Sequence, residues 1–533
     1  MSQQPIPVGT RSQLFVDDYL IAASEGLGTT LHPMTKHPEP ILRAEAPWER
    51  PEVGGLWGIP NVLYDPDEGL YKLWYVSMGT YPARGGQKEP VYQCYATSRD
   101  GIHWERPSLG LVEYEGSTAN NISASGRRLR GYGDPGTNGG VLDCPEMAGL
   151  EPPERRYKSV GWLGRDADGR GIHGVSFSPD GLRWQAYEHN PVIGGLAHAD
   201  KITCAKLRDP AFPEDIPGLP TAKYALFPKV KVPIGGFDRR CFAVCTSEDD
   251  FGGDPFTQWT EPHLALAPDR RDDEMAEERL AEAKPILLWD HPDDHRGEFY
   301  GVMVFRTGDV FLGLLWAYDA SFECSRLGMG NQYAIVEVQL VASRDLLHWE
   351  RLGDRQPVIA RGTPDAFDSH MIFYHSFPVV VGDEWWVYYA GFNEALRQQY
   401  QADVQAGRRH FPAIGLAKVR REGYISRDAG AEGGTLTTRL LQPGGSQLEL
   451  NAAIPDDGGV TVEVQNEQGQ ALPAYGSANC TPVTGDSLRH EVRWGDRRGD
   501  DRWRGRPVRL RFHLRPSAGG TALYGFRFRE AAA

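Results

Sequence analysis

At 533 residues the chain is too long for one ordinary core, so two or more domains are expected. A net charge of −15 excludes a general nucleic-acid binder, which needs a basic footprint to meet phosphates. Hydrophobic content of 40% excludes wholesale disorder, and 62 Gly, 39 Pro and 11% aromatics suit many short strands joined by turns.

The N-terminal stretch MSQQPIPVGTRSQLFVDDYLI has neither a basic leader region nor an apolar one. No run of about 18 apolar residues follows. The expectation is a cytoplasmic protein with no membrane partner. Seven cysteines (Cys94, Cys144, Cys204, Cys241, Cys245, Cys324 and Cys480) show no C-x-x-C spacing. They predict no disulfide framework or zinc ribbon, and read as small buried hydrophobes, including the i, i+4 pair Cys241 and Cys245.

A repeat organises the chain up to about residue 430. In the first unit Asn61–Tyr64 turns through Asp65–Gly69 into Leu70–Tyr75 and returns as Ala96-Thr97-Ser98-Arg99-Asp100-Gly101-Ile102-His103-Trp104. The second pairs Gly140–Asp143 with Tyr157–Trp162 and returns as Ser176–Trp184, around Asp180-Gly181. The third joins Lys201–Ala205 to Lys223–Phe227, with the degenerate return Thr246–Phe251 and Trp259. The fourth runs Phe299–Phe305, Val310–Trp316 and Ala342–Glu350, and the fifth Phe377–Val381 and Trp385–Tyr389 with a weak return at Glu422–Ser426. Strand, tight Asp-Gly turn and a short strand opening on Trp give four strands per unit. Radial repetition of such sheets is a β-propeller. The expected fold class is therefore all-β: a five-bladed β-propeller over residues 1–430, followed by a β-sandwich over 435–533. The sandwich strands are expected at Gln447–Leu450, Val460–Val464, His490–Trp494, Val508–Leu514 and Ala522–Phe528. Two helical patches, Asp272–Ala283 and Glu394–Val404, interrupt the pattern and read as solvated surface helices at a rim, lid or subunit contact.

LFVDDYLI, His37-Pro38, Asp65–Gly69, Tyr95–Trp104, Gly110–Ser117, Asn120–Ile122 and Leu523–Phe528 together carry a resemblance. Over almost the whole length the chain resembles bacterial proteins similar to glycoside hydrolase family 32, within the five-bladed propeller glycosidases that include families 43 and 68. The resemblance implies a propeller enzyme acting on a carbohydrate. The W-x-N-D-P-N-G box of family 32 is absent. Arg208-Asp209-Pro210 and Glu323-Cys324 spell its other two boxes out of register, so no role is carried onto them.

A propeller glycosidase needs two carboxyl groups facing one sugar, one protonated and one ionised. Acids just before the first strand of each unit are the candidates: Asp200, Glu298 and Asp368, then Glu49 (with Glu52 beside it), while the second unit offers only Asp134 or Asn138. Trp57, His198, Arg306, Glu337, His370 and Tyr374 are candidate substrate-binding residues, and Trp316 and Trp386 further aromatic surfaces. For each there is a plainer structural role: a turn cap for the acids, inter-blade core for the aromatics, a buried ion pair for Arg306 and Glu337. No cofactor or metal is required. His370 and His375 could ligate an axial calcium of the kind family 43 enzymes often hold, and structural histidines explain them as well.

Three functions remain open on the sequence: a glycosidase cleaving a small glycoside or oligosaccharide, furanosides included; a propeller phosphorylase of the family 130 kind, for which no compact Arg, Lys and His cluster is visible; and a non-catalytic carbohydrate-binding propeller. A homo-oligomer through the sandwich or the helical insertions is also left open.

Overall fold

The computed structural model describes residues 4–49, 56–78, 91–126, 140–145, 151–196, 201–207, 222–247, 256–282, 296–320, 334–393 and 412–530. The side chains of Trp57, Tyr374 and His375 also lie outside that description, as do residues 208–210, 323–324 and the expected helix at 394–404.

The described chain is all-β with one α-helix. It opens with β1 (Ile6–Gly9), β2 (Gln13–Leu14), β3 (Ile21–Glu25), β4 (Leu27–Leu31) and β5 (Thr35–Lys36). A first antiparallel sheet then runs β6 (Leu56–Asp65), β7 (Leu70–Met78), β8 (Val91–Ser98), β9 (Ile122–Gly126). The second holds β10 (Val141–Asp143), β11 (Tyr157–Arg165), β12 (Gly171–Ser178) and β13 (Gln185–Ala186), with β14 (Ile193–Leu196) also on β12. The third is β15 (Ile202–Lys206), β16 (Tyr224–Ile234), β17 (Phe237–Ser247) and β18 (His263–Leu266), followed by α1 (Arg270–Glu282).

Next come β19 (Arg296–Thr307), β20 (Val310–Ala320) and β21 (Ala334–Ser343), which carries β22 (Glu350–Arg351) and β23 (Pro357–Ile359). A fifth group holds β24 (Met371–His375), β25 (Val379–Val381), β26 (Glu384–Phe392) and β27 (Ala413–Arg420), and its outer edge is completed by β5 from the N-terminus. Among the described residues the parallel bridge Val336↔Met371 joins the fourth group to the fifth.

Each consecutive pair of groups shares a hydrophobic core. Trp74, Tyr95, Val141 and Tyr157 lie between the first and second, and Leu142, Val175, Cys204 and Leu226 between the second and third. Phe227, Phe242, Val302 and Leu315 lie between the third and fourth, and Leu314, Val338, Phe373 and Tyr389 between the fourth and fifth. A further core of Leu56, Leu73, Tyr75, Tyr388 and Leu416 joins the fifth back to the first.

The repeat turns explain why their residues recur. Ser98 Oγ accepts from Gly101 N (2.9 Å), and Asp100 Oδ1 from Ile102 N and His103 N (2.8 Å each). Ser178-Asp180 and Ser343-Asp345 repeat the pattern. The turn needs a left-handed residue, met by Gly101 (φ 74°) and Gly181 (φ 75°), but by Leu346 (φ 69°) in the third copy. Its carbonyl is also a latch between sheets. Trp74 Nε1 donates to Gly181 O (2.6 Å), and Tyr388 OH, on β26, to Gly101 O (2.9 Å) in the first sheet. A Cβ on Gly101 would stand 2.6 Å from the Tyr388 hydroxyl, so close approach as well as φ demands glycine there. At the third copy Leu346 is buried in the core that holds Phe227 and Trp349, so packing offsets its backbone strain.

The remaining strands are β28 (Ile425–Ala429), β29 (Gly434–Thr438), β30 (Leu441–Pro443), β31 (Gln447–Ile454), β32 (Val460–Gln465), β33 (Gly485–Glu491), β34 (Arg509–Leu514) and β35 (Thr521–Arg529). They form one sheet ordered β33-β31-β35-β28-β4 with β2 on β35, and another ordered β3-β29-β34-β32, while β30 pairs with β1. Phe15, Phe512 and Phe526 sit in the core these strands share. Segments from both sides of the expected 430/435 division thus build these sheets, because the N-terminal strands find their hydrogen-bond partners there. The strand expected at His490–Trp494 is centred earlier: Trp494 leaves the ladder to donate its indole N–H to Val462 O (2.8 Å).

Tyr388→Phe removes the latch donor and strands a buried carbonyl, an expected loss of about 1–3 kcal/mol. A lowered chemical-denaturation midpoint with an unchanged far-UV spectrum would show it.

Candidate functional site

The starts of β15 and β19, the ends of β16 and β20 and the start of β17 bring polar side chains together around an aromatic cluster. Tyr300 packs on Tyr318 (5.4 Å between centroids) and Phe373 (4.7 Å), and Phe373 on Trp316 (5.6 Å). Cations cover these rings. Lys229 Nζ stands 4.0 Å from the Tyr300 centroid, the Arg240 guanidinium 4.9 Å from that of Tyr318, and Lys201 Nζ 5.3 Å from that of Trp316. Trp316 is fully buried and belongs to the core between the fourth and fifth groups.

Glu298 lies among them, 1% exposed. Arg296 Nε donates to its Oε1 (2.8 Å) and Arg240 Nη1 to its Oε2. Burial works to raise its pKa, but Arg240 and Arg296 outweigh burial and hold the carboxyl below its ordinary 4.5. Arg240 is held above its ordinary value: burial opposes the charge and the Glu298 carboxylate more than restores it. At neutral pH this glutamate is an ionised carboxylate, suited to act as a base, a nucleophile or a charge stabiliser and unsuited to donate a proton.

Asp368 and His370, just before β24, are both 1% exposed. Asp368 Oδ2 accepts from Lys36 Nζ and Tyr389 OH (2.8 Å each), and the Phe367 ring stacks on Tyr389. It therefore ties the N-terminal strand β5 to the fifth sheet. A Cβ on Gly391 would lie 2.7 Å from Asp368 Cβ, so that strand end is shaped around the aspartate.

Glu49, fully buried, is held in a different cluster. Its oxygens accept from Tyr75 OH, from Arg106 Nε (2.8 Å) and Nη2 (3.1 Å), and from the amides of Glu45 (2.8 Å) and Ala46 (3.0 Å). Burial, with Cys94 and this carboxylate beside it, pushes the Tyr75 phenol well up. Glu337, 7% exposed, accepts from Arg361 Nε (2.9 Å) and lies 3.7 Å from Arg279. Arg306 donates to Leu207 O (3.2 Å). Trp386 Nε1 donates to Glu384 (2.9 Å), with Lys418 over its ring. Asp200 and His198 lie outside the described residues, as do Glu52, Asp134 and Asn138.

Sequence reasoning missed Lys229, Arg240, Tyr300 and Tyr318, and it expected no compact cationic cluster. The structure assembles one, because alternate residues of β16 and β17 face the start of β19. It also missed Asp319, fully buried, bound bidentately by Arg279 of α1 (2.6 and 2.7 Å) and pushed up to about 6 by burial despite that arginine. Helix α1, expected as a solvated element, is pinned on one side: Asp272 pairs with Arg351 (2.8 Å), Asp273 with Arg239, and Arg279 with Asp319. Among the described residues no group of three or more His, Cys, Asp or Glu side chains could hold a metal ion, and the six described cysteines are buried and form no disulfide with one another.

No family model and no curated protein matches the chain. Among solved structures it is similar to a family 43 arabinoxylan arabinofuranohydrolase from Bacillus subtilis in complex with cellotetraose, at 11% identity over 92% of this chain and 99% of that one, with a TM-score of 0.37. It is similar to a family 32 β-fructofuranosidase from Bombyx mori at 12% identity over 93% and 95%, TM-score 0.35. A β-1,2-mannobiose phosphorylase from Listeria innocua matches at 10% identity over 73% and 96%, TM-score 0.41.

Replacing Glu298 by Gln removes the carboxylate that pairs with the buried Arg240, an expected cost of about 3–5 kcal/mol at pH 7. Because the folded carboxyl titrates below 4.5, its contribution is full above that pH and is lost as pH falls through the folded value. Denaturation midpoints between pH 7 and pH 3 should therefore converge for the two proteins as the medium becomes acid.

Proposed function

We propose that the five sheet groups are the blades of a β-propeller within residues 1–430, that a β-sandwich centred on 435–533 follows, and that the protein is a glycoside hydrolase. The five inter-sheet cores, the last returning to the first, support the propeller reading. The observation that carries the function is Glu298: a buried carboxylate kept ionised at the start of β19, beside aromatic rings drawn from three strands.

In this reading a small glycoside or oligosaccharide lies against Tyr300, Tyr318 and Phe373, and Glu298 attacks the anomeric carbon or activates a water toward it. A second carboxyl protonates the leaving oxygen. Asp200 is assigned that role because it directly precedes Lys201, whose ammonium lies over Trp316 of the same cluster. A carboxyl separation of about 5–5.5 Å gives retention and about 6.5–9.5 Å inversion. Asp368 and Glu49 are assigned to holding the fold, since Asp368 ties strand β5 to the fifth sheet through Lys36 and Glu49 caps the amides of Glu45 and Ala46 away from the aromatic cluster. His370 and Glu337 are assigned to shaping the pocket wall.

The test is sugar release from a panel of aryl furanosides, aryl pyranosides and oligosaccharides, with the product anomer followed by NMR. Measured on the folded fraction, Glu298→Ala and Asp200→Asn should each lower kcat by about 10²–10⁴. Asp368→Asn should lower stability and leave kcat near that of the parent. Undiminished turnover in Glu298→Ala refutes the assignment, and saturable sugar binding without turnover on any substrate would favour the binding propeller.

A further inference from the structure

We propose that Arg239 and Arg240, consecutive on β17, are positioning residues for Glu298, and that the far part of the β16–β17 hairpin is the arm that carries them to it. The inference rests on the carbohydrate-active reading above and adds to it what orients the carboxylate of that site.

The hairpin is longer than its pairing with the rest of its sheet. Pairing of β16 with β15 runs from Lys206↔Tyr224 to Ile202↔Pro228, whereas pairing of β16 with β17 continues to Ile234↔Phe237. Residues 229–240 therefore extend past the described end of β15 and meet the next group. Three of them touch three consecutive residues of β19. The Arg296 guanidinium lies over the Phe237 ring (4.7 Å), Arg239 Nε donates to Gly297 O (3.1 Å), and Arg240 Nη1 donates to Glu298 Oε2.

Adjacent strand residues point to opposite faces, so two arginines in a row serve different targets. Arg240 takes the side chain. Its guanidinium is bonded to Glu298 and lies over the Tyr318 ring (4.9 Å), so its plane as well as its charge is set. Arg239 takes the backbone. Besides Gly297 O it reaches Asp273 of α1, through Nη1 to Oδ2 (3.1 Å) and Nη2 to Oδ1, and Asp273 Oδ1 in turn accepts from Gly297 N (3.0 Å). Both backbone polar groups of the residue before Glu298 are thus bound by side chains. A Cβ on Gly297 would stand 2.7 Å from Asp272 Cβ and 2.8 Å from Asp272 O, so the start of α1 rests directly on this backbone.

Both arginines are buried, and taking two adjacent guanidinium groups out of water costs a desolvation that apolar side chains avoid. Stability alone is a poor reason for that arrangement. Holding a carboxylate in one orientation is a better one, since a reacting group displaced by about 1 Å loses on the order of 10²-fold in rate.

The experiment follows the Glu298 carboxyl by carbon-13 NMR in full-length protein labelled at its glutamate side chains, the signal being assigned by its absence in Glu298→Gln. Amide hydrogen exchange of residues 296–300 is measured beside it, with kcat and KM on whichever glycoside of the panel is turned over. In Arg240→Gln the carboxyl should titrate at higher pH than in the parent. Arg240→Lys, which keeps the charge and guards against a variant that fails to fold, should titrate nearer the parent while kcat falls about tenfold at unchanged KM. Arg239→Gln, and Asp273→Ala at a partly exposed position, should leave the titration in place and speed exchange at 296–300 about tenfold relative to β11 and β12. An unmoved titration in Arg240→Gln, or unmoved exchange in Arg239→Gln and Asp273→Ala, overturns the assignment of the arginine it tests. A lowered denaturation midpoint with neither readout moved marks a purely structural pair. Titration and exchange are read without turnover, so shifts of both in a protein that cleaves nothing would sink the hydrolase reading and leave the positioning of Glu298 standing.

Discussion

The contact between the fifth sheet and the first is the constraint on which the rest depends. Four of the five inter-sheet cores join groups adjacent in sequence, and the core of Leu56, Tyr75, Tyr388 and Leu416 brings the fifth group, more than 300 residues downstream, back to the first. Two polar devices fix its position. The Tyr388 hydroxyl reads the carbonyl of Gly101, and Lys36 on β5 reaches Asp368 across the edge of the last sheet. Without them each sheet could still pair its own strands, but the last sheet would lose its polar ties to the first sheet and to the N-terminal strand.

The surroundings of Glu298 show how strand geometry concentrates charge. Side chains alternate along a strand, so Lys229 and Lys231 share one face of β16. Glu298 stays ionised despite burial because two guanidinium groups surround it. Asp319, equally buried but bound by one arginine and close to Glu337, is pushed the other way. The two acids sit near paired positions, Gly297 opposite Asp319 and Glu298 opposite Tyr318, and differ in their cation count.

The repeat was legible in the sequence because its chemistry is local. Ser98-x-Asp100-Gly101 and its copies satisfy their own backbone within four residues, so pattern alone reveals them. Leu346 hides the same turn behind an unsuitable residue, and only its burial beside Trp349 and Phe227 explains the choice. Glu298, Asp368 and Glu49 were legible as acids near strand starts, but their differing duties were not. Tyr75 and Arg106, 26 and 57 positions beyond Glu49, decide that it is saturated. Arg240, 58 residues before Glu298, decides that Glu298 is charged. Such pairings carry no spacing signal. The same holds for β3 and β4, whose partners in β29 and β28 lie some 400 residues downstream.

Those N-terminal strands have a consequence for how the chain is made. The first forty residues leave the ribosome early, but β4 pairs with Ile425–Ala429, β5 with Ala417–Lys418, and β2 with Gly525–Phe526. They must wait, unpaired, through nearly the entire synthesis of the chain, while the middle sheets complete themselves from neighbouring hairpins. Exposed strands held in that state invite pairing with another chain, and non-local closure of this kind is slow. β3 and β4 present Thr and Glu outward and are five residues each, a length and polarity that keep the waiting segment from becoming a template for aggregation.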